Sequence, residues 1–334
     1  MNLPFPPPDG LLGQTLLERI FTWSFLISLL VSGIRLAVPV LLAVLGEVIT
    51  QRSGILNLGL EGILLMGSLA GFATTYHLEQ AGVPGAAWAG LAAGILAGMA
   101  MGSVMAILAV RLKADQVVAG VTLVLLGQGL STYLFRQLLP NSNVRVTGLS
   151  PWPIPGLSEI PGVGTVLFNH DPMVYLSGLL VVGCWFLLFR TRFGRSLRAV
   201  GENPAAAETS GIDVERTRWI AILIGSALAG LGGAVLTVVQ LRLFAEGITA
   251  GRGWIAVALV FFARWHPWHA LLGSLLFGVA DALQFRIQAL GSQQFPYEFL
   301  LMLPYLLTLA VLWRKGKQVE APAALGIPYL RGQR

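Results

Sequence analysis

Asn57 and Glu61 stand in a stretch that is otherwise apolar and glycine-rich, Gly54-Ile-Leu-Asn57-Leu-Gly59-Leu-Glu61-Gly62. An ionisable side chain at membrane depth is expensive, and where it occurs it faces protein or a water-filled path rather than lipid. The two residues are four apart, the spacing of one helical face. Gly54, Gly59 and Gly62 let the backbone bend or a neighbouring helix approach closely. The stretch reads as a broken or tightly packed span lining a polar cavity; the alternative is a packing motif in which Asn57 and Glu61 cap or pair across helices. Arg35, Gln128, Asp281 and Gln284 are weaker candidates of the same kind. Asp281 and Gln284 lie near a span end and are expected at an interface.

Bond-making chemistry finds little support. The four histidines, His77, His170, His266 and His269, form no H-E-x-x-H pair, and neither a G-x-S-x-G elbow nor a G-x-x-x-x-G-K-[ST] phosphate loop occurs. The single cysteine, Cys184, excludes an intramolecular disulfide and a cysteine metal cluster. The chain is therefore expected to be no enzyme and to bind no metal or cofactor of its own.

A second informative segment runs from Arg198 to Ile212. Asn203 can cap a short helix, Pro204 occupies its first position and Gly211 closes it. Its middle, Ala205, Ala206 and Ala207, is small enough to enter a cleft on a partner. Arg195 and Arg198 beside it supply long-range attraction. A plain interfacial helix is the other reading.

The elements that must hold these groups follow from composition. Of 334 residues, 55% are hydrophobic and 11% charged, with mean hydropathy +0.73; a soluble domain carries about a quarter charged residues. Apolar runs at about 26–46, 55–76, 85–110, 117–138, 173–189, 219–239, 254–263, 268–284 and 299–313 predict an all-α polytopic bundle of about 8–10 membrane helices. The net charge of +6 sits in short loops between these runs, with no basic stripe interleaved with aromatics, so nucleic acid is excluded as a partner and the bilayer is expected. Fifteen of the 22 Lys and Arg residues, among them Arg52, Arg111, Arg190, Arg264, Arg314 and Lys315, fall on one side if the spans alternate. That side is assigned to the cytoplasm, with the C-terminus. Residues 1–25 then form an extracytoplasmic or interfacial segment, 26–315 the membrane domain and 316–334 a cytoplasmic tail. The first residues lack the ordered parts of a cleaved signal peptide. The Pro-rich stretch 140–172 falls outside.

Three stretches together resemble the permease subunits of bacterial ABC importers in the branched-chain amino acid/ribose permease superfamily. Gly46-Glu47-Val-Ile-Thr-Gln-Arg52-Ser-Gly54 through Gly62 is similar to its N-terminal signature, and adds Glu47 to the polar intramembrane set of Asn57, Glu61, Gly59 and Gly62. Arg198-Ala-Val-Gly201-Glu202-Asn203-Pro204-Ala205-Ala206, followed by Gly211, resembles the cytoplasmic coupling segment that contacts the ATPase. Gly253-Trp254-Ile255-Ala256-Val257-Ala258, with Pro267 and Phe277-Gly278, resembles the C-terminal signature, and Leu303-Pro304-Tyr305 with Ala321–Gly326 fits the subgroup paired with basic-membrane-protein-type binding proteins. Arg252 departs from the small or apolar residue found there in many relatives. The resemblance implies a permease in a bacterial inner membrane, importing a nucleoside or simple sugar. It also implies an ATPase subunit carrying ATP-Mg, a second related permease chain and an extracytoplasmic substrate-binding protein. An ion-gradient-driven carrier, or a permease for branched-chain amino acids, is the alternative; a carrier would show a second copy of the Asn57–Glu61 stretch, and none is evident.

Overall fold

The computed structural model describes residues 22–139, 144–289 and 321–330, together with Met302 and Leu306. The span expected at 299–313 and most of the segment 1–25 lie outside the described residues.

Polar caps start the helices where the sequence provides them. Asp115 accepts from the amides of Val117 and Val118, Asp171 from Met173 ahead of Pro172, and Asp213 from Arg216. Each carboxylate satisfies a donor that the first helical turn leaves open. The elements are α1 Trp23–Arg52, α2 Leu60–Gln80, α3 Ala86–Ala106, α4 Gln116–Leu138, α5 Val163–Phe168, α6 Pro172–Arg190, α7 Arg192–Glu202, α8 Pro204–Thr209, α9 Val214–Ala234, α10 Arg252–Ala263 and α11 Pro267–Ala289. Wider π turns extend α3 to Arg111 and α9 to Gln240. Among the described residues, six helices are long and apolar enough to cross a membrane: α1, α3 and α9 with their extensions, α4, α6 and α11. The protein is a multi-pass helical bundle, and among the described residues it contains no strand, only an isolated bridge from Arg145 to Leu243.

α9 is the hub, packed against α1, α2 and α3, while α11 lies along α1. Small residues bring these helices together. A Cβ on Gly98 would stand 2.3 Å from the carbonyl oxygen of Ser226, so α3 and α9 touch backbone to backbone. In lipid, where apolar side chains gain nothing by leaving their solvent, such contact is a main source of helix association.

One expectation is corrected. The run 55–76 is not helical from its start: Ser53–Gly59 form an irregular turn and α2 begins at Leu60. Asn57 and Glu61 therefore do not share a helical face, because Asn57 precedes the helix. Asp281 and Gln284 are buried against protein, and α11 continues past both to Ala289.

Candidate functional site

The turn between α1 and α2 is irregular backbone inside an apolar bundle, so its polar groups must find partners in protein. Glu47, fully buried in α1, supplies one: its Oε1 accepts from the Asn57 amide at 3.0 Å and from Gln51 Nε2 at 2.9 Å. Gln116, at the head of α4, accepts from the Leu56 amide at 2.7 Å. Asn57 Oδ1 accepts from the Gly59 amide, and its Nδ2 has no partner among the described residues. Gly59 and Gly62 bring this turn against α4, where a Cβ on either would collide with Leu123.

Glu61, in the first turn of α2, is 4% exposed and reaches another element altogether. Its Oε1 accepts from Thr249 Oγ1 at 2.5 Å and from the Gly251 amide at 2.9 Å, and its Oε2 from the Gly253 amide at 2.6 Å. The carboxylate thus caps the N-terminus of α10. A helix start carries partial positive charge and open N–H donors, and a carboxylate answers both. α10 has 12 residues, about 18 Å of helix against a hydrocarbon core of about 30 Å. It is a half-helix that starts within the bundle and returns through the turn Arg264–His266 into α11. That turn is tied to the C-terminal end of α1: Trp265 Nε1 donates to Gln51 Oε1 at 2.8 Å, and Arg52 Nε to the Trp265 carbonyl at 3.2 Å.

Arg252, at the first position of α10, places Nη2 3.3 Å from Asp281 Oδ2 on α11. The residue that departs from the resembling pattern therefore has a charge partner on the neighbouring helix. On the same helix, Phe285 and Arg286 join Ser32, Arg35 and Gln240 around a cavity of about 300 Å³, at the small end of ligand-pocket sizes. Arg35 also lies 3.8 Å from Asp171, the cap of α6.

At the opposite end, α7 and α8 lie outside the long apolar helices. Asn203 caps α8 as its sequence implies, accepting from the Ala206 amide at 3.0 Å, with Pro204 at the first position and Gly211 in the left-handed conformation at φ +83°. Ala205 and Ala206 are exposed, whereas Ala207 is buried against Val200 and Val214. Arg198 is half-buried, with its guanidinium 5.1 Å from the centre of the Phe189 ring. Gly201 is buried against the carbonyl of Arg52, and Glu202 accepts from the Ala323 amide at 3.4 Å.

Thr249, Gly251, Gln51 and Gln116 complete the site and were not singled out from the sequence. Thr249 and the glutamines are ordinary residue types with no spacing signal. Gly251 and Gly253 flanking Arg252 were the one available sign of a close approach. Among the described residues, no group of three or more His, Cys, Asp or Glu side chains is arranged to hold a metal ion.

No solved structure matches the chain. A protein of Haloferax volcanii, described provisionally as a glucose ABC transporter permease, is 43% identical over 272 residues, 80% of each chain. A nucleoside ABC transporter permease of Lactococcus lactis is 34% identical, covering 88% of this chain and 94% of its own length. A guanosine ABC transporter permease of Bacillus subtilis is 34% identical, covering 89% and 95%. The family described as the permease component of branched-chain amino acid transport systems matches residues 29–312. A bundle of membrane helices with a capped half-helix at its centre, matched over most of its length, belongs to that family of transport permeases.

Proposed function

We propose that the chain is the membrane subunit of an ATP-driven importer for a nucleoside or a simple sugar. It would work with a separate ATPase that carries ATP-Mg, a second related permease chain and an extracytoplasmic substrate-binding protein. The substrate class rests on the three relatives named above. The basic end of the bundle, with α7, α8 and the C-terminal segment, faces the cytoplasm of a cell whose cytoplasmic membrane holds the protein.

The observation that carries this reading is α8: a capped helix outside the apolar bundle, showing Ala205 and Ala206 to solvent and resting on Ala207. Small exposed side chains on a rigid, short helix suit insertion into a cleft on a partner. On the far side, the cavity beside Arg35 and Phe285 supports a solute entrance, where hydrogen-bond donors and an aromatic face meet a polar ring compound. Glu61 and Asn57 then act as support for the pathway, holding the half-helix and the α1–α2 turn.

Bulk at the exposed alanine tests the docking role. Ala206→Trp is expected to leave membrane insertion intact while abolishing co-purification of the ATPase and solute uptake. Full uptake by that variant, with the ATPase retained, would reduce α8 to an interfacial anchor.

A further inference from the structure

The segment Ala321–Leu330 lies across the basic end of the bundle and pairs with two loops far away in sequence. Ala324 donates its amide to the Gly201 carbonyl at 2.9 Å, and Gly326 to the Gly54 carbonyl at 3.0 Å. The Tyr329 hydroxyl donates to the Glu208 carboxylate on α8. Arg218, 2% exposed at the start of α9, links the same parts: Nε donates to the Ser53 carbonyl at 3.2 Å and Nη1 to the Ile327 carbonyl at 3.4 Å. Gly54, at φ +87°, is in a conformation that strains any side chain, and a Cβ there would press on Arg218 Nη2 at 2.9 Å and the Ala324 carbonyl oxygen at 3.1 Å.

A helix of six residues has little packing of its own. α8 rests on a small apolar cluster of Val200, Ala207 and Val214, and Tyr329 packs on that cluster. The turn that the segment grips at Gly54 leads directly to Asn57 and to Glu61, the cap of α10. Hydrogen-bonded backbone across three elements makes one stiff body out of parts that would otherwise move separately.

We propose that Ala321–Leu330 is a positioning strap that joins α8 to the α1–α2 turn. A displacement of α8 by the ATPase then moves Ser53–Gly59 and, through Glu61, the N-terminus of α10. This rests on the docking role of α8 given above, and the strap itself touches neither solute nor nucleotide.

The experiment uses the full complex in proteoliposomes, with radiolabelled guanosine and glucose as probes, and reads solute imported per ATP hydrolysed beside retention of the ATPase. A chain ending at Glu320 is expected to keep the ATPase and its hydrolysis while import per ATP falls roughly two- to thirtyfold, the range of coupling changes seen when a connecting element is altered. Tyr329→Phe shifts the ratio in the same direction by less, and a synthetic peptide of residues 321–334 restores it. An unchanged ratio in both variants overturns the strap. So does loss of the ATPase from the shortened chain with a normal ratio in Tyr329→Phe, which would make the segment a docking element. If the shortened chain fails to reach the membrane, Tyr329→Phe and Ala324→Pro, which removes the donor to Gly201, decide by the same ratio. Failure of the docking role looks different: the unaltered chain would not retain the ATPase, or Ala206→Trp would transport normally.

Discussion

At the scale of single residues, Glu61 concentrates the consequences. Its two oxygens receive three donors from the loop and first turn of α10, so replacing the carboxylate exposes a mismatch rather than a vacancy. Glu61→Gln keeps the shape but presents an NH2 group where an acceptor is required, leaving at least one donor of Thr249, Gly251 or Gly253 unpaired. Such a buried donor costs about 1–3 kcal/mol. The variant is expected to unfold at lower temperature in detergent and to lose uptake. Wild-type melting together with wild-type uptake would show that the cap is dispensable.

Among elements, α10 is the one whose placement depends most on close approach. A Cβ on Gly253 would stand 2.4 Å from the Glu61 amide nitrogen and 2.5 Å from its Cα, both backbone atoms that cannot swing aside. Gly253→Ala is therefore expected to destabilise by about 1–3 kcal/mol, the usual cost of overpacking. Gly178→Ala on α6, where no described residue lies within 4 Å of the added carbon, should be neutral or slightly stabilising. Thermal unfolding of the pair checks this, and equal melting points would refute the role of the contact. The turn that closes the half-helix carries a pH response. Burial first, then His269 and Arg52, hold the His266 imidazole below its ordinary value, with the Phe189 ring beside it. The unfolded chain consequently binds more protons near and below that value, so stability falls as the solution is acidified. Going from about pH 7.5 to about pH 5.5 should lower the melting temperature more for the natural chain than for His266→Gln. An identical loss in the two would assign the effect elsewhere.

For the whole molecule, the division of labour is the testable point. The chain carries no phosphate loop, and its polar interior is spent on holding its own irregular backbone. Purified alone, it is expected neither to bind nor to hydrolyse ATP, as measured by equilibrium nucleotide binding and phosphate release. Robust hydrolysis by the isolated subunit would contradict an importer with a separate ATPase. Charge is grouped on the same scale: Arg52, Arg190, Arg264 and the amphipathic helix α7 gather at the end that also holds α8.

Hydropathy and caps were readable in one dimension because both are local. Twenty apolar residues in a row, or Asn203 ahead of Pro204, carry their meaning without knowing what lies across the bundle. Apart from the run 55–76, which turns helical only at Leu60, and 299–313, which lies outside the described residues, helix positions and the start of α8 accordingly agree with the sequence reading. The break before α2 was signalled by Gly54 and Gly59, but their spacing alone could not say that Asn57 lies outside the helix. The roles of the polar residues were decided in three dimensions. Glu61 meets Thr249, Gly251 and Gly253 across more than 185 residues of chain, Glu47 holds the Asn57 amide, and Arg252 finds Asp281 on the next helix. A buried charge is located by its partner, and no periodicity names a partner that far away. The same holds for Ala321–Leu330, whose backbone donors could have gone to water. Only the meeting of Gly54 and Gly201 at one end of the bundle gives two of them carbonyl acceptors, while Arg218 donates to the Ile327 carbonyl.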